Sequence, residues 1–147
     1  MFLSISGFIF ANTLALDLVC KKVPKSDIEE VMQTKYKTAR VGKLPFTPPY
    51  DVSFCEYTNG VLAEVSIYYY YKSGSKVYPP DSKVEELKGL KFPAKVVFTS
   101  KGDVFEIIGD TKEGSKVMFV FAKEIKKDGK RYKEALKLLE KLVKEFK

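Results

Sequence analysis

The stretch SIYYYYKSG, residues 66 to 74, sets four tyrosines in a row ahead of a lysine. Neighbouring side chains of a strand point to opposite faces. Val61, Ala63, Val65, Ile67, Tyr69 and Tyr71 then share one side, and Leu62, Glu64, Ser66, Tyr68, Tyr70 and Lys72 the other. The first set is an apolar core face. The second turns aromatic and polar toward its end, so Tyr68 and Tyr70 are the pair expected to meet a partner. Two tyrosines at that spacing can stack nucleobases. They can also line a pocket with their rings while a hydroxyl fixes a polar end. The plain structural reading is that tyrosine favours strands and covers its neighbours.

Two carboxylates stand mid-strand among apolar residues, at matching places in two strand–turn–strand units (residues 51–67 and 94–108). These are Glu64 and Glu106. Paired across a pocket they could act as acid and base; on an exposed strand face a glutamate is ordinary. With Tyr68 and Tyr70 they form the candidate ligand-binding set.

The chain has no histidine, which removes the commonest general base and metal ligand. Its two cysteines, Cys20 and Cys55, are too few for a disulfide framework and do not form a CxxC pair. They read as small buried apolar side chains, with a single bridge between them as the alternative. Neither KSGSK nor KEGSK has the spacing of a phosphate-binding loop. No catalytic constellation, metal site or cofactor motif is found, and the expectation is a binding protein rather than an enzyme.

Lysines cluster at the expected turns: Lys72 and Lys76 around SGS, Lys101 in SKGD, Lys112 and Lys116 around EGS, and Lys126, Lys127 and Lys130 around DG. Gathered at one end of a sheet they would form a basic rim that attracts phosphates, with steep salt dependence. Tyr68, Tyr70, Lys72, Lys76, Lys101 and Lys116 are accordingly the candidate nucleic-acid set. Otherwise they are solvated turns with glycine at positive φ. The net charge of +7 suits an acidic partner. However, Arg40 and Arg131 are the only arginines, and arginine is the preferred residue for bidentate phosphate and guanine contacts. Abundant lysine and glutamate with few side-chain amides is a heat-adapted composition.

The elements that must position these groups follow from periodicity. Residues 2–10 and 13–21 read as strands, the second from the alternation of Leu14, Leu16, Leu18 and Cys20. SDIEEVMQTKY switches to helical spacing, with Ser26 and Glu29 as a capping box. RVGKLPFTPPYD, residues 40–51, is a proline-rich connector. DVSFCEY and VLAEVSIYYYYK are strands joined through TNG, where Asn59–Gly60 suggests a tight turn needing positive φ. SKVEELKG, with Ser82 and Glu85 as a second capping box, reads as a short middle helix. AKVVFTS, DVFEIIG and SKVMFVFAKEI are strands. In the last segment Tyr132, Ala135, Leu136, Leu139, Leu142, Val143 and Phe146 form one apolar stripe of a long helix.

The fold class is therefore α+β in a single domain, residues 1–147. A mostly antiparallel curved sheet of about six to eight strands is expected, with a long amphipathic C-terminal helix packed on it. The element order across residues 13–147 resembles the helix-grip fold of START and Bet v1-like proteins, and also a TATA-box-binding-protein-like half-saddle. The first resemblance implies a curved sheet wrapped round the last helix, with an apolar ligand held between them.

The N-terminal MFLSISGFIFANTLALDLVC is apolar but lacks a basic n-region, and Gly7, Asn12 and Thr13 interrupt it. It is too short and too polar for a membrane span. It reads as core strand, with TLA as a weak signal cleavage site in the alternative, and the expected location is cytoplasmic. The expected function is to hold a small apolar or aromatic ligand between the tyrosine-bearing sheet face and the C-terminal helix. Single-stranded nucleic-acid binding is the alternative, as is a protein-interaction role in which the chain forms an oligomer.

Overall fold

A computed structural model describes residues 17–42, 52–72 and 82–146. Two short helices, α1 (Leu18–Lys22) and α2 (Lys25–Met32), come first. Strands β1 (Thr38–Val41), β2 (Val52–Thr58), β3 (Ala63–Tyr70), β4 (Lys83–Leu87), β5 (Ala94–Phe98), β6 (Val104–Asp110) and β7 (Lys116–Phe121) follow, and helix α3 (Lys130–Glu145) closes the chain. The seven strands form one antiparallel sheet in the order β1-β2-β3-β7-β6-β5-β4. It consists of two meanders, β1–β3 and β4–β7, joined where β3 pairs with β7. The fold is the α+β architecture expected from the sequence.

From Val65 onward the alternation read in the tyrosine strand holds, whereas Val61, expected on the core face, lies exposed in the turn before β3. Val65, Ile67 and Tyr69 are buried with the helices, while Tyr68 and Tyr70 belong to a separate cluster on the other face. Helix α3 lies on the first face and buries Tyr132, Ala135, Leu138, Leu139, Leu142 and Val143. Each large apolar side chain so buried contributes about 1.5–3 kcal/mol. This packing, rather than propensity, stabilises a helix of 16 residues. Helix α2 packs beside α3, and the Arg131 Nε donates to the Met32 carbonyl at 2.9 Å.

Several local expectations are corrected. Residues 18–22 form helix rather than strand: Val19 and Val23, one turn apart, are both fully buried. The Val19 N–H donates to Ser53 Oγ at 3.1 Å and the Tyr57 hydroxyl to the Val23 carbonyl at 2.5 Å. The expected strand over 2–10, and residues 13–16 of the next, lie outside the described residues. The Ser26–Glu29 capping box is not formed. Pro24 is the N-cap of α2, and Glu29 Oε2 instead accepts the Tyr36 N–H at 2.7 Å.

The expected middle helix is strand β4. Five residues of helix are too few to be stable alone, whereas pairing with β5 satisfies the backbone from Lys83↔Phe98 to Leu87↔Ala94. Within the expected connector, Arg40 and Val41 belong to β1, while residues 43–51 are not described. The β2–β3 turn spans residues 59–62 and neither Asn59 nor Gly60 has positive φ. Instead the Thr58 hydroxyl accepts the Gly60 N–H at 2.9 Å and lies 2.7 Å from the Leu62 carbonyl.

Cys20 and Cys55 form a disulfide, so the reading as two free buried thiols is replaced by its alternative. The bridge ties α1 to the middle of β2.

Candidate functional site

Tyr68 and Tyr70 lie on the face turned away from α3, and the cluster they join (Val97, Ile108, Met118, Phe105 and Val120) contains no helix residue. Their neighbour Tyr69 is the tyrosine that meets the last helix: its ring stacks on Phe146. The tyrosine pair and the C-terminal helix are therefore on opposite sides of the sheet. The candidate pair cannot clasp a ligand against that helix.

On their own face the rings form a ladder. Phe54 stacks on Tyr68 at 4.5 Å between centroids with 10° between planes, and Tyr68 on Tyr70 at 5.9 Å and 9°. Burial raises both tyrosine hydroxyls, Tyr70 to about 12, and the charge of Glu106 adds to each. Glu106, itself buried, is thus brought to the tyrosine pair. Glu64 is not. Near the start of β3, it is the extra residue between Ala63 and Val65, opposite the register shift at Tyr57 and Thr58. There it pairs with Lys123 at 3.4 Å, and its charge, second to burial, raises the Tyr36 hydroxyl to about 12. The two glutamates do not face each other as acid and base.

The candidate lysines divide between the two ends of the sheet. Lys72 follows β3 and Lys116 opens β7, paired with Asp110 at 2.8 Å. Lys101 lies in the β5–β6 turn at the other end. Lys76 lies outside the described residues. No single basic rim results.

A groove the sequence did not reveal lies where α3 ends over the sheet. It encloses about 690 Å³, with Phe92, Pro93, Val143 and Phe146 as apolar walls and Lys91, Lys112, Glu113 and Lys144 among the rim residues. The β6–β7 turn forms one side and is internally braced: the Thr111 N–H donates to the Ser115 carbonyl at 2.9 Å, and the Ser115 N–H to Thr111 Oγ1 at 3.0 Å. The Asp110 N–H donates to the Pro93 carbonyl at 2.9 Å and holds the Phe92–Pro93 segment to β6. Gly109 lets the groove's walls pack closely on β6. A Cβ there would stand 2.8 Å from Val143 and 3.0 Å from Phe92, so α3 approaches β6 only because that position has no side chain. The legible signals were faint: an aromatic residue before proline in a connector, and a stripe running to the final turn of the helix.

A smaller hollow beside Glu86, Lys95, Ile108 and Lys116 encloses only about 150 Å³, short of the 300 Å³ or so at which small-molecule sites begin. Among the described residues, no helix is long and apolar enough to cross a membrane.

Comparison with known proteins returns no match: no family model fits the chain, and no curated protein or solved structure resembles it.

Proposed function

We propose that the protein is a non-enzymatic binding protein that holds a small apolar or aromatic ligand in the groove between the end of the sheet and the last turns of α3. The observation that carries this reading is the groove itself. At about 690 Å³ it falls within the range of small-molecule sites, and it combines apolar walls with a few polar groups at the mouth. The contact residues are Phe92, Pro93, Val143 and Phe146, in place of Tyr68, Tyr70, Glu64 and Glu106.

The test is titration with the apolar fluorophore 1-anilinonaphthalene-8-sulfonate at low and high salt, beside organic extraction of the purified protein. Saturable binding that persists at high salt and weakens in Phe92→Ala supports the groove. Absence of saturable binding, or binding indifferent to Phe92→Ala, overturns it.

The nucleic-acid reading is less favoured. Phe54, Tyr68 and Tyr70 stack on one another, which leaves little open ring surface for bases. With no tryptophan in the chain, quenching of tyrosine emission by single-stranded DNA, lost in Tyr68→Ala/Tyr70→Ala, would restore it.

A cytoplasmic location remains part of the proposal on one condition. A disulfide persists in cytoplasm chiefly in heat-adapted cells, which the lysine- and glutamate-rich composition suits.

A further inference from the structure

The far end of the sheet carries a second cleft, at the opposite end of the strands from the groove. It encloses about 490 Å³ and is lined by Lys83, Glu85, Phe98, Thr99, Ser100, Lys101, Gly102 and Lys127. Three lysines and one glutamate line it. Glu85 bridges Lys83 at 3.2 Å and Lys127 at 3.3 Å, so it holds two cations over the same hollow instead of cancelling both. The Lys127 ammonium also sits 5.3 Å from the centroid of the Phe98 ring, a contact that further restricts it. Lys101 enters no ion pair among the described residues. The nearby Asp103 carboxylate is engaged by Lys126 at 2.9 Å.

The backbone of the turn adds donors. The Thr99 N–H donates to the Asp103 carbonyl, the Gly102 N–H to the Thr99 carbonyl, and the Asp103 N–H to Thr99 Oγ1. Gly102, at φ 88°, closes the turn in a conformation suited to glycine. The N–H groups of Ser100 and Lys101, at the tip, find no acceptor among the described residues. Ser100 and Lys101 are exposed, so these N–H groups and the serine hydroxyl are open to an anion with several acceptor oxygens beside the lysines.

We propose that this cleft binds the phosphate group of a small molecule, with Lys83, Lys101 and Lys127 supplying charge and the Ser100–Lys101 turn supplying hydrogen bonds. A carboxylate offers two oxygens in one plane. A phosphate dianion presents three toward donors that converge from β4, the β5–β6 turn and the segment before α3. The cleft also has room for the organic group that carries the phosphate.

The test is an amide-shift titration of the full chain with inorganic phosphate and, separately, phenyl phosphate, each against sodium chloride at equal ionic strength. Lys101→Ala is the matched variant, because it removes a cation without breaking an ion pair. Saturable shifts centred on Ser100, Lys101 and Gly102, with affinity about fivefold to tenfold lower in Lys101→Ala, are expected. Tighter binding of phenyl phosphate would assign the site to an organic phosphate, and equal binding to phosphate itself. Shifts no larger than those of chloride, shifts centred at the other end of the sheet, or binding unchanged in Lys101→Ala would overturn the proposal.

Discussion

The rings of Tyr69 and Phe146 stack with centroids 4.4 Å apart and 27° between their planes. One stands in the middle of the four-tyrosine run and the other caps α3. The contact fastens the end of the helix to the strand and shapes one wall of the groove. Phe146→Ala is expected to cost about 3 kcal/mol of stability, as for other buried phenylalanines, read as a lower urea midpoint. It should also weaken binding of the apolar fluorophore. An unchanged midpoint would show that the last turn of α3 does not hold to the sheet.

Gly109 allows α3 to rest on β6. A methyl group there would meet Val143 at 2.8 Å and Phe92 at 3.0 Å. Gly109→Ala is expected to destabilise by about 1–3 kcal/mol through overpacking. Because Val143 and Phe92 must move, fluorophore affinity should change as well. Thermal unfolding of the variant beside the parent chain checks the first effect and a binding isotherm the second.

The disulfide closes a loop with a sequence separation of 35. Removing that constraint from the denatured chain should lower stability by about 4 kcal/mol on the chain-entropy account. Urea unfolding with and without reductant measures it, with Cys20→Ala/Cys55→Ala as the control. The first helix should loosen before the sheet does, since a five-residue helix has little stability of its own. Coincident midpoints in the two redox states would contradict this.

Burial raises the hydroxyls of Tyr36 and Tyr70 to about 12 and raises that of Tyr57 as well. In the unfolded chain they ionise near pH 10. Above that value the unfolded state holds fewer protons than the folded one, so stability falls as pH rises. The contribution is fully present below pH 10 and is lost as pH climbs through about 12. Tyr57 makes the loss cooperative, since its hydroxyl donates to the Val23 carbonyl. Tyrosinate absorbance should therefore rise late and in step with loss of the circular dichroism of the fold. A titration complete near pH 10 with the fold intact would refute it.

Strands β2, β3, β5, β6 and β7 and the final helix were legible because each carries its own period. Val65, Ile67 and Tyr69 against Ser66, Tyr68 and Tyr70 is a two-residue repeat that only a strand presents to one core. The stripe from Tyr132 to Phe146 is equally local. Segments of about five residues were not legible. LVCKK and KVEEL each admit helix or strand, and neighbours decided: Ser53 and Tyr57 hold the first as helix, and β5 pairs with the second as strand.

The candidate site divides in the same way. That Tyr68 and Tyr70 oppose Tyr69 was determined by the sequence itself, because side-chain direction alternates along any strand. Which face α3 covers was decided only in the tertiary structure, since either face of the tyrosine strand was aromatic enough to receive it. The strand order that parts Glu64 from Glu106 and Lys101 from Lys116 was decided there too. So was the groove, which brings Phe92 against Val143 and Phe146 of the last helix, far along the chain from it. Pairing and packing over such separations depend on the combined burial of many residues, and no local pattern records that sum.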